Sequence, residues 1–194
     1  MNFLAHIYLS FGDKEISIGN FIADNIRGNK YQHLPPNIQK GILLHRAIDT
    51  FTDSHATPKI SSKRLHANYS HYSRVIVDMY YDHFLAKNWA EYSDVPLEVY
   101  VDNFYTLLQD NYEILPSGVQ RMLSIMQSEN WLYNYANMDG MANVLNGMNR
   151  RTKNRSRMNL AIVDLQEHYA EFEAEFTAFF KELIIFSKEK FDSL

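Results

Sequence analysis

Cysteine is absent from the 194-residue chain, which excludes a disulfide framework and any thiolate metal site. A metal could be held only by His, Asp, Glu, Asn or backbone oxygens. Glycine and proline are sparse, at 7 and 5 residues, too few for the turn-rich connections of a β-sandwich or barrel. No apolar run reaches the roughly 18 residues needed to cross a bilayer. The opening MNFLAHIYLS has no basic leader and carries a histidine inside its apolar run, unlike a signal peptide, so the expected location is the cytoplasm. A net charge of −4 argues against a general nucleic-acid binder. Nucleotide-loop, nucleophile-elbow, HExxH and EF-hand signatures are also missing.

What is present points to helices. Hydrophobic residues make up 46% of the chain and aromatics 14%, enough for one sizeable core spanning residues 1–194 as a single domain. Between punctuation at Gly28-Asn29, Pro35-Pro36, Thr57-Pro58, Pro96 and Pro116-Ser117-Gly118, the apolar spacing is helical. Helices are expected over 2–10, 15–27, 36 to about 55, 70–91 and 97–112. The 70–91 helix is apolar nearly all round, which places it at the centre. Ile162, Leu165, Tyr169, Phe172, Phe176, Phe179, Leu183 and Phe186 predict one long amphipathic helix packed on the domain. The expected class is an all-α single-domain bundle of roughly seven to nine helices.

Chemistry is signalled by polar pairs one helical turn apart within apolar helices: Asn2/His6, Asn20/Asp24, His45/Asp49 and Asp78/Asp82. A spacing of four puts both members on one face. Asp53 extends the His45/Asp49 row by another turn, and His83 follows Asp82 directly. Two carboxylates on one face of a buried helix repel each other and lose hydration, so positive charge must compensate. That charge is either a metal or buried arginine. Asp24, His45, Asp49 and Asp78 form a candidate set of N and O ligands suited to Mn²⁺, Fe²⁺, Zn²⁺ or Mg²⁺, with the neighbouring polar residues Asn2, Asn20 and Asp53 as its supports. The competing structural account pairs Asp78 with Arg74 and Asp49 with Arg46, and makes His6 a hydrogen-bonded core residue. His33, His66, His71 and His168 read as surface. The acid-free run 150–157, RRTKNRSR, concentrates Arg150, Arg151, Lys153, Arg155 and Arg157, a patch able to steer an acidic partner.

Four blocks, MNFLAHIYLS, GNFIADNIRG (19–28), GILLHRAIDTFTDSH (41–55) and DMYYDHFLAKNW (78–89), together with WLYNYANMDGMANVLNGMNRR (131–151), resemble the bacterial acyl carrier protein phosphodiesterases, from residue 1 to about 190. The resemblance implies a distorted HD-type helical fold, and hydrolysis of holo-acyl carrier protein to apo-protein and 4′-phosphopantetheine. It also implies a divalent cation, typically Mn²⁺, and maps the family's polar residues onto Asn2, His6, Asp24, His45, Asp49, Asp78, Asp82 and His83. The adjacent His-Asp pair that names the HD superfamily is missing; Asp82-His83 has the reverse order. On this reading Asp24, His45, Asp49 and Asp78 hold the metal, and His6, Asp82 or His83 positions water or assists departure of the serine oxygen. The five cations of 150–157 meet the acidic carrier protein. Two rivals stand beside it: an HD-type phosphohydrolase acting on a nucleotide, and a non-catalytic carrier-protein-binding module whose acids pair with Arg27, Arg46 and Arg74.

Overall fold

A computed structural model describes all 194 residues. The chain forms α-helices and short 3-10 turns with no β-strand. Local chemistry sets several helix starts. Asp13 accepts the Ile16 N–H at 2.9 Å ahead of α2, and Asn137 accepts the Gly140 N–H at 2.7 Å ahead of α9. Each is a side-chain cap for an otherwise unpaired donor. Pro36, Pro96 and Pro116 sit at or just before the first turns of α3, α6 and α7, where a missing N–H costs nothing.

In chain order the helices are α1 (Phe3–Tyr8), α2 (Lys14–Ile22), α3 (Pro36–Ser54), α4 (Ala56–Tyr69), α5 (Ser73–Lys87), α6 (Leu97–Asp110), α7 (Ser117–Ser128), α8 (Trp131–Asn134), α9 (Met138–Arg151), α10 (Ala161–Glu167) and α11 (Tyr169–Ser193). Helix α5 is central, with Ile76, Val77, Met79, Tyr80, Tyr81, Phe84 and Leu85 all buried. Phe172, Phe176, Phe179, Phe180 and Leu183 of α11 are fully buried against the rest of the chain, so its aromatic stripe is intramolecular core. Helices α2 and α3 cross almost backbone to backbone. A Cβ on Gly19 would lie 2.1 Å from the Ile38 carbonyl oxygen, and one on Gly41 2.2 Å from that of Ile16. Only glycine fits such a crossing.

Several expectations are corrected. Eleven α-helices form rather than seven to nine, because turns split the longer segments. The 15–27 segment stops at Ile22 and passes into a 3-10 turn, Ala23–Asn25. The 70–91 segment is helical only over Ser73–Lys87, flanked by 3-10 turns at Ser70–Tyr72 and Trp89–Glu91, and its Val75 is exposed. The long C-terminal helix breaks at His168, whose φ of −115° and ψ of 30° leave the helical region. No proline or glycine marks that break. Tertiary anchors impose it: Asp164 of α10 accepts bonds from Tyr69 and Asn68, while Tyr169 of α11 bonds to His83. No helix is long and apolar enough to cross a membrane.

Candidate metal centre

The centre is organised by Asn20, a fully buried amide in the last turn of α2. Its Nδ2 donates to the His6 carbonyl at 2.7 Å and to Ser10 Oγ at 3.1 Å. Its Oδ1 is thereby the acceptor that faces His6 Nδ1 at 2.8 Å. The Asn20 main-chain oxygen, one of the carbonyls that a helix end leaves free, faces His45 Nδ1 at 2.8 Å. Both imidazoles must then carry a proton on Nδ1, so Nε2 is the atom each turns toward the carboxylates; this assignment follows from the network. The rings stack 3.9 Å apart at 18°. One asparagine thus orients two histidines from α1 and α3, the type of outer support that metal-binding imidazoles use.

Both Nε2 atoms converge on Asp49, one turn after His45 on α3. His45 Nε2 lies 3.0 Å from Asp49 Oδ2 and 3.3 Å from Asp24 Oδ1; His6 Nε2 lies 3.3 Å from Asp49 Oδ1. His6, His45 and Asp49 each offer a ligand atom within 4.8 Å of the others. The imidazoles are sealed, at 3% and 7% side-chain exposure, whereas Asp49 and Asp24 are 42% and 70% exposed. The cluster therefore opens to solvent on its carboxylate side. Burial, followed by the His45 charge, lowers the pKa of His6 to about 4. Burial also opposes a charged His45, but the Asp24 and Asp49 carboxylates outweigh it and raise the pKa to about 9. Partial desolvation works against ionisation of Asp49, yet the two imidazoles pull its pKa down. The His45 hydrogen bond does the same for Asp24. His6 Nε2 is buried and has no hydrogen-bond partner, a costly state for a ring nitrogen. With the Nε2 proton of His45 displaced by the incoming ion, two oriented imidazole lone pairs and an ionised carboxylate fit a divalent cation, and the orphaned nitrogen of His6 is the atom such an ion would satisfy.

The other expected residues lie elsewhere. Asp78 is outside the imidazole group: its Oδ1 sits 3.1 Å from the Met1 α-amino nitrogen, which is also 3.9 Å from Asp49 Oδ1. Asp82 is fully buried, and its two oxygens accept the Leu4 and Ala5 N–H groups at 2.7 and 3.1 Å. It caps α1 from α5, favoured by the helix dipole, and so holds the helix that carries His6. Burial raises its pKa to about 7 against those two bonds. His83, one residue on, faces away from the cluster and links the Tyr135 carbonyl (2.6 Å) to the Tyr169 hydroxyl (2.7 Å). Water positioning by Asp82 and His83 therefore gives way to structural work, because neither has a free polar atom at the cluster. Asn2 donates to Tyr135 Oη, and Asp53 forms an exposed pair with Arg74 at 3.6 Å. The arginine account of the acids fails as well. Arg46 donates to the Ile26 and Gly28 carbonyls, and neither Asp49 nor Asp78 pairs with a guanidinium. Arg150, Arg151, Lys153, Arg155 and Arg157 are all exposed and free of ion pairs.

The family model described as acyl carrier protein phosphodiesterase matches residues 1–183. The chain belongs to that family. Curated relatives carrying the name acyl carrier protein phosphodiesterase include those of Escherichia coli O157:H7, 32% identical over 193 residues (98% of this chain, 99% of the relative), and of Salmonella agona, 33% over 188 residues (95% and 96%). A third, from Photorhabdus laumondii, is 31% identical over 182 residues, covering 93% of this chain and 91% of the relative. No solved structure matches.

In this acyl carrier protein phosphodiesterase family member, two contributors escaped sequence reasoning. Ser10, buried, donates to the His6 carbonyl at 3.0 Å while accepting from Asn20; its spacing of four from His6 was the available signal. The Met1 amino group offered none, since no pattern marks where a chain terminus packs.

Proposed function

We propose that this protein hydrolyses the phosphodiester joining 4′-phosphopantetheine to the serine of holo-acyl carrier protein, in the cytoplasm, at a divalent-cation centre of distorted HD type. The observation that carries the proposal is the orphaned His6 Nε2 beside His45 Nε2 and Asp49, buried at the base of an opening lined by carboxylates. Family membership supports the substrate.

His6, His45 and Asp49 would hold the cation, with Asp24 beside them. A cation there supplies a Lewis acid at the phosphoryl oxygen and lowers the pKa of the attacking water. Donors of N and O type without sulfur suit Mn²⁺, as they do Mg²⁺, Fe²⁺ or Zn²⁺. Asp24, exposed and held ionised by His45, accepts the proton of the water whose oxygen bonds to phosphorus. The bond from phosphorus to the serine oxygen breaks, and that oxygen takes the proton held between Asp78 and the Met1 amine, which lie 3.1 Å apart. Acid help is required because a serine alkoxide is a poor leaving group. Asn20 keeps both imidazoles in the tautomer that points lone pairs inward. The five cations of 150–157 steer the acidic carrier protein toward the opening.

Mass spectrometry of holo-acyl carrier protein after incubation with chelator-treated enzyme, with and without Mn²⁺, tests this. Loss of the prosthetic group only when metal is restored is the expected result. Asp49→Asn should abolish turnover while leaving the helical circular dichroism intact. Turnover by Asp49→Asn, or an unchanged carrier mass with Mn²⁺, Mg²⁺, Fe²⁺ and Zn²⁺ alike, would refute the proposal. Cleavage of a nucleotide panel instead would point to the nucleotide phosphohydrolase.

A further inference from the structure

Residues 54–77 contain no acid, yet hold Lys59, Lys63, Arg64 and Arg74. Arg64 is consumed by its pair with Glu175 at 2.6 Å. The other three are exposed; Lys59 and Lys63 have no acidic partner, and Arg74 pairs with Asp53 at 3.6 Å. Lys59, Ile60 and Lys63 share one face of α4 by their spacing, and Ile60 is 56% exposed. Across a narrow cleft stands Arg74 at the start of α5, with the exposed Val75 next to it in sequence; the Ser62–Ser73 hydroxyl bond of 2.9 Å ties the two helices together. Asp53, Lys59, Ser62, Arg74 and Asp78 line this cleft, so its net positive rim is supplied by Lys59 and Lys63 on α4. The cleft therefore ends at the carboxylate that neighbours the metal cluster through the Met1 amine.

The chemistry of the proposed reaction restricts where the partner can sit. The bond to be broken joins phosphorus to the carrier's own serine oxygen, so only three bonds separate phosphorus from the serine Cα. The long pantetheine arm gives no reach. When phosphorus is at the centre, the carrier's surface must lie against the rim of the opening. The 150–157 run lies toward the other end of α4 and acts at longer range, as a steering charge. Its Arg157 acts electrostatically on Tyr69 at the far end of α4, and the helix rise of about 1.5 Å per residue puts that end roughly 15 Å from Lys59.

We propose that the carrier protein docks on the face formed by Lys59, Ile60 and Lys63 of α4 with Arg74 and Val75 of α5, its phosphorylated serine set at the mouth of the cleft beside Asp78. The inference rests on the carrier-protein reading. Cations at this face meet the acidic surface of the partner, and Ile60 and Val75 supply apolar contact within a charged rim, as protein interfaces do.

Two measurements on the full-length protein test it. In the first, zero-length carbodiimide coupling of wild-type enzyme to apo- and holo-carrier protein, read by peptide mass spectrometry, should join carrier carboxylates to Lys59 and Lys63. In the second, the double variant Lys59→Glu/Lys63→Glu should raise KM for holo-carrier protein by at least about tenfold with kcat held within about twofold. Cross-links confined to Lys153 or to the lysines of α11, or an unchanged KM in an enzyme that does remove the prosthetic group, overturn the docking face alone. A wild-type enzyme that neither cleaves nor cross-links the carrier overturns the substrate reading, and the docking face with it.

Discussion

Replacing Gly41 by alanine sets two opposing effects against each other. Gly41 lies inside α3, where helix propensity alone favours alanine by about 1 kcal/mol. The tertiary structure predicts the opposite sign. A Cβ at this position would lie 2.2 Å from the Ile16 oxygen and 2.8 Å from both the Asn20 nitrogen and the Gly19 Cα. All three are backbone atoms, so no side chain can turn aside. Ordinary contact requires α2 and α3 to separate by about 1 Å. His45 is one turn further along α3, and its 2.8 Å bond to the Asn20 oxygen would stretch to about 3.8 Å, beyond hydrogen-bonding range. Overpacking costs about 1–3 kcal/mol and a broken buried bond about as much again. Against the propensity gain, a net loss of about 1–5 kcal/mol remains, with a midpoint of about 3 kcal/mol or a Tm lower by about 10 °C for a domain of this size. Thermal unfolding followed by circular dichroism reads the stability, and calorimetric titration with Mn²⁺ reads the centre; both should fall together. Gly147 in α9 is the control, because its nearest neighbour to a new Cβ is the flexible Arg150 guanidinium at 4.0 Å. Gly147→Ala should gain about 0.5–1 kcal/mol. A Gly41→Ala protein as stable as Gly147→Ala, with undiminished metal affinity, would refute the account of the α2–α3 crossing.

Further outcomes concern α5. Asp82 has its pKa raised from 3.8 to about 7, so folding favours its protonated form, and its contribution to stability declines as pH rises from about 4 through about 7. The Asp82→Asn variant lacks this titration. Its stability relative to wild type, measured by urea unfolding, should improve between about pH 5 and about pH 8, offset by the constant loss of one backbone acceptor; a gap that does not move with pH would count against the buried-cap role. His83→Phe removes the bonds to Tyr135 and Tyr169 and should cost about 2–4 kcal/mol in urea unfolding. Metal affinity should survive that change. A variant stable but unable to bind Mn²⁺ would return His83 to the centre.

The all-α class, the start of α3 at Pro36, the buried centre of α5 and the aromatic stripe of α11 were legible from the sequence. Each is a local consequence of apolar spacing or of a capping residue, and neither needs knowledge of distant neighbours. The spacing of four likewise made His45 and Asp49 a pair, since one helix turn determines their shared face. Partnership across helices was a different matter. Asp78 and Asp82 have the same spacing and similar apolar surroundings, yet one meets the Met1 amine while the other caps α1. His6 and His83 each sit in an apolar helix, yet only His6 turns a free nitrogen toward Asp49. The break at His168 has no local breaker and follows from where Asp164 and Tyr169 are anchored. Sequence periodicity encodes which face of a helix a residue occupies. What stands opposite that face depends on how closely helices approach, and here Gly19 and Gly41 bring α2 onto α3 so that Asn20 can hold both imidazoles.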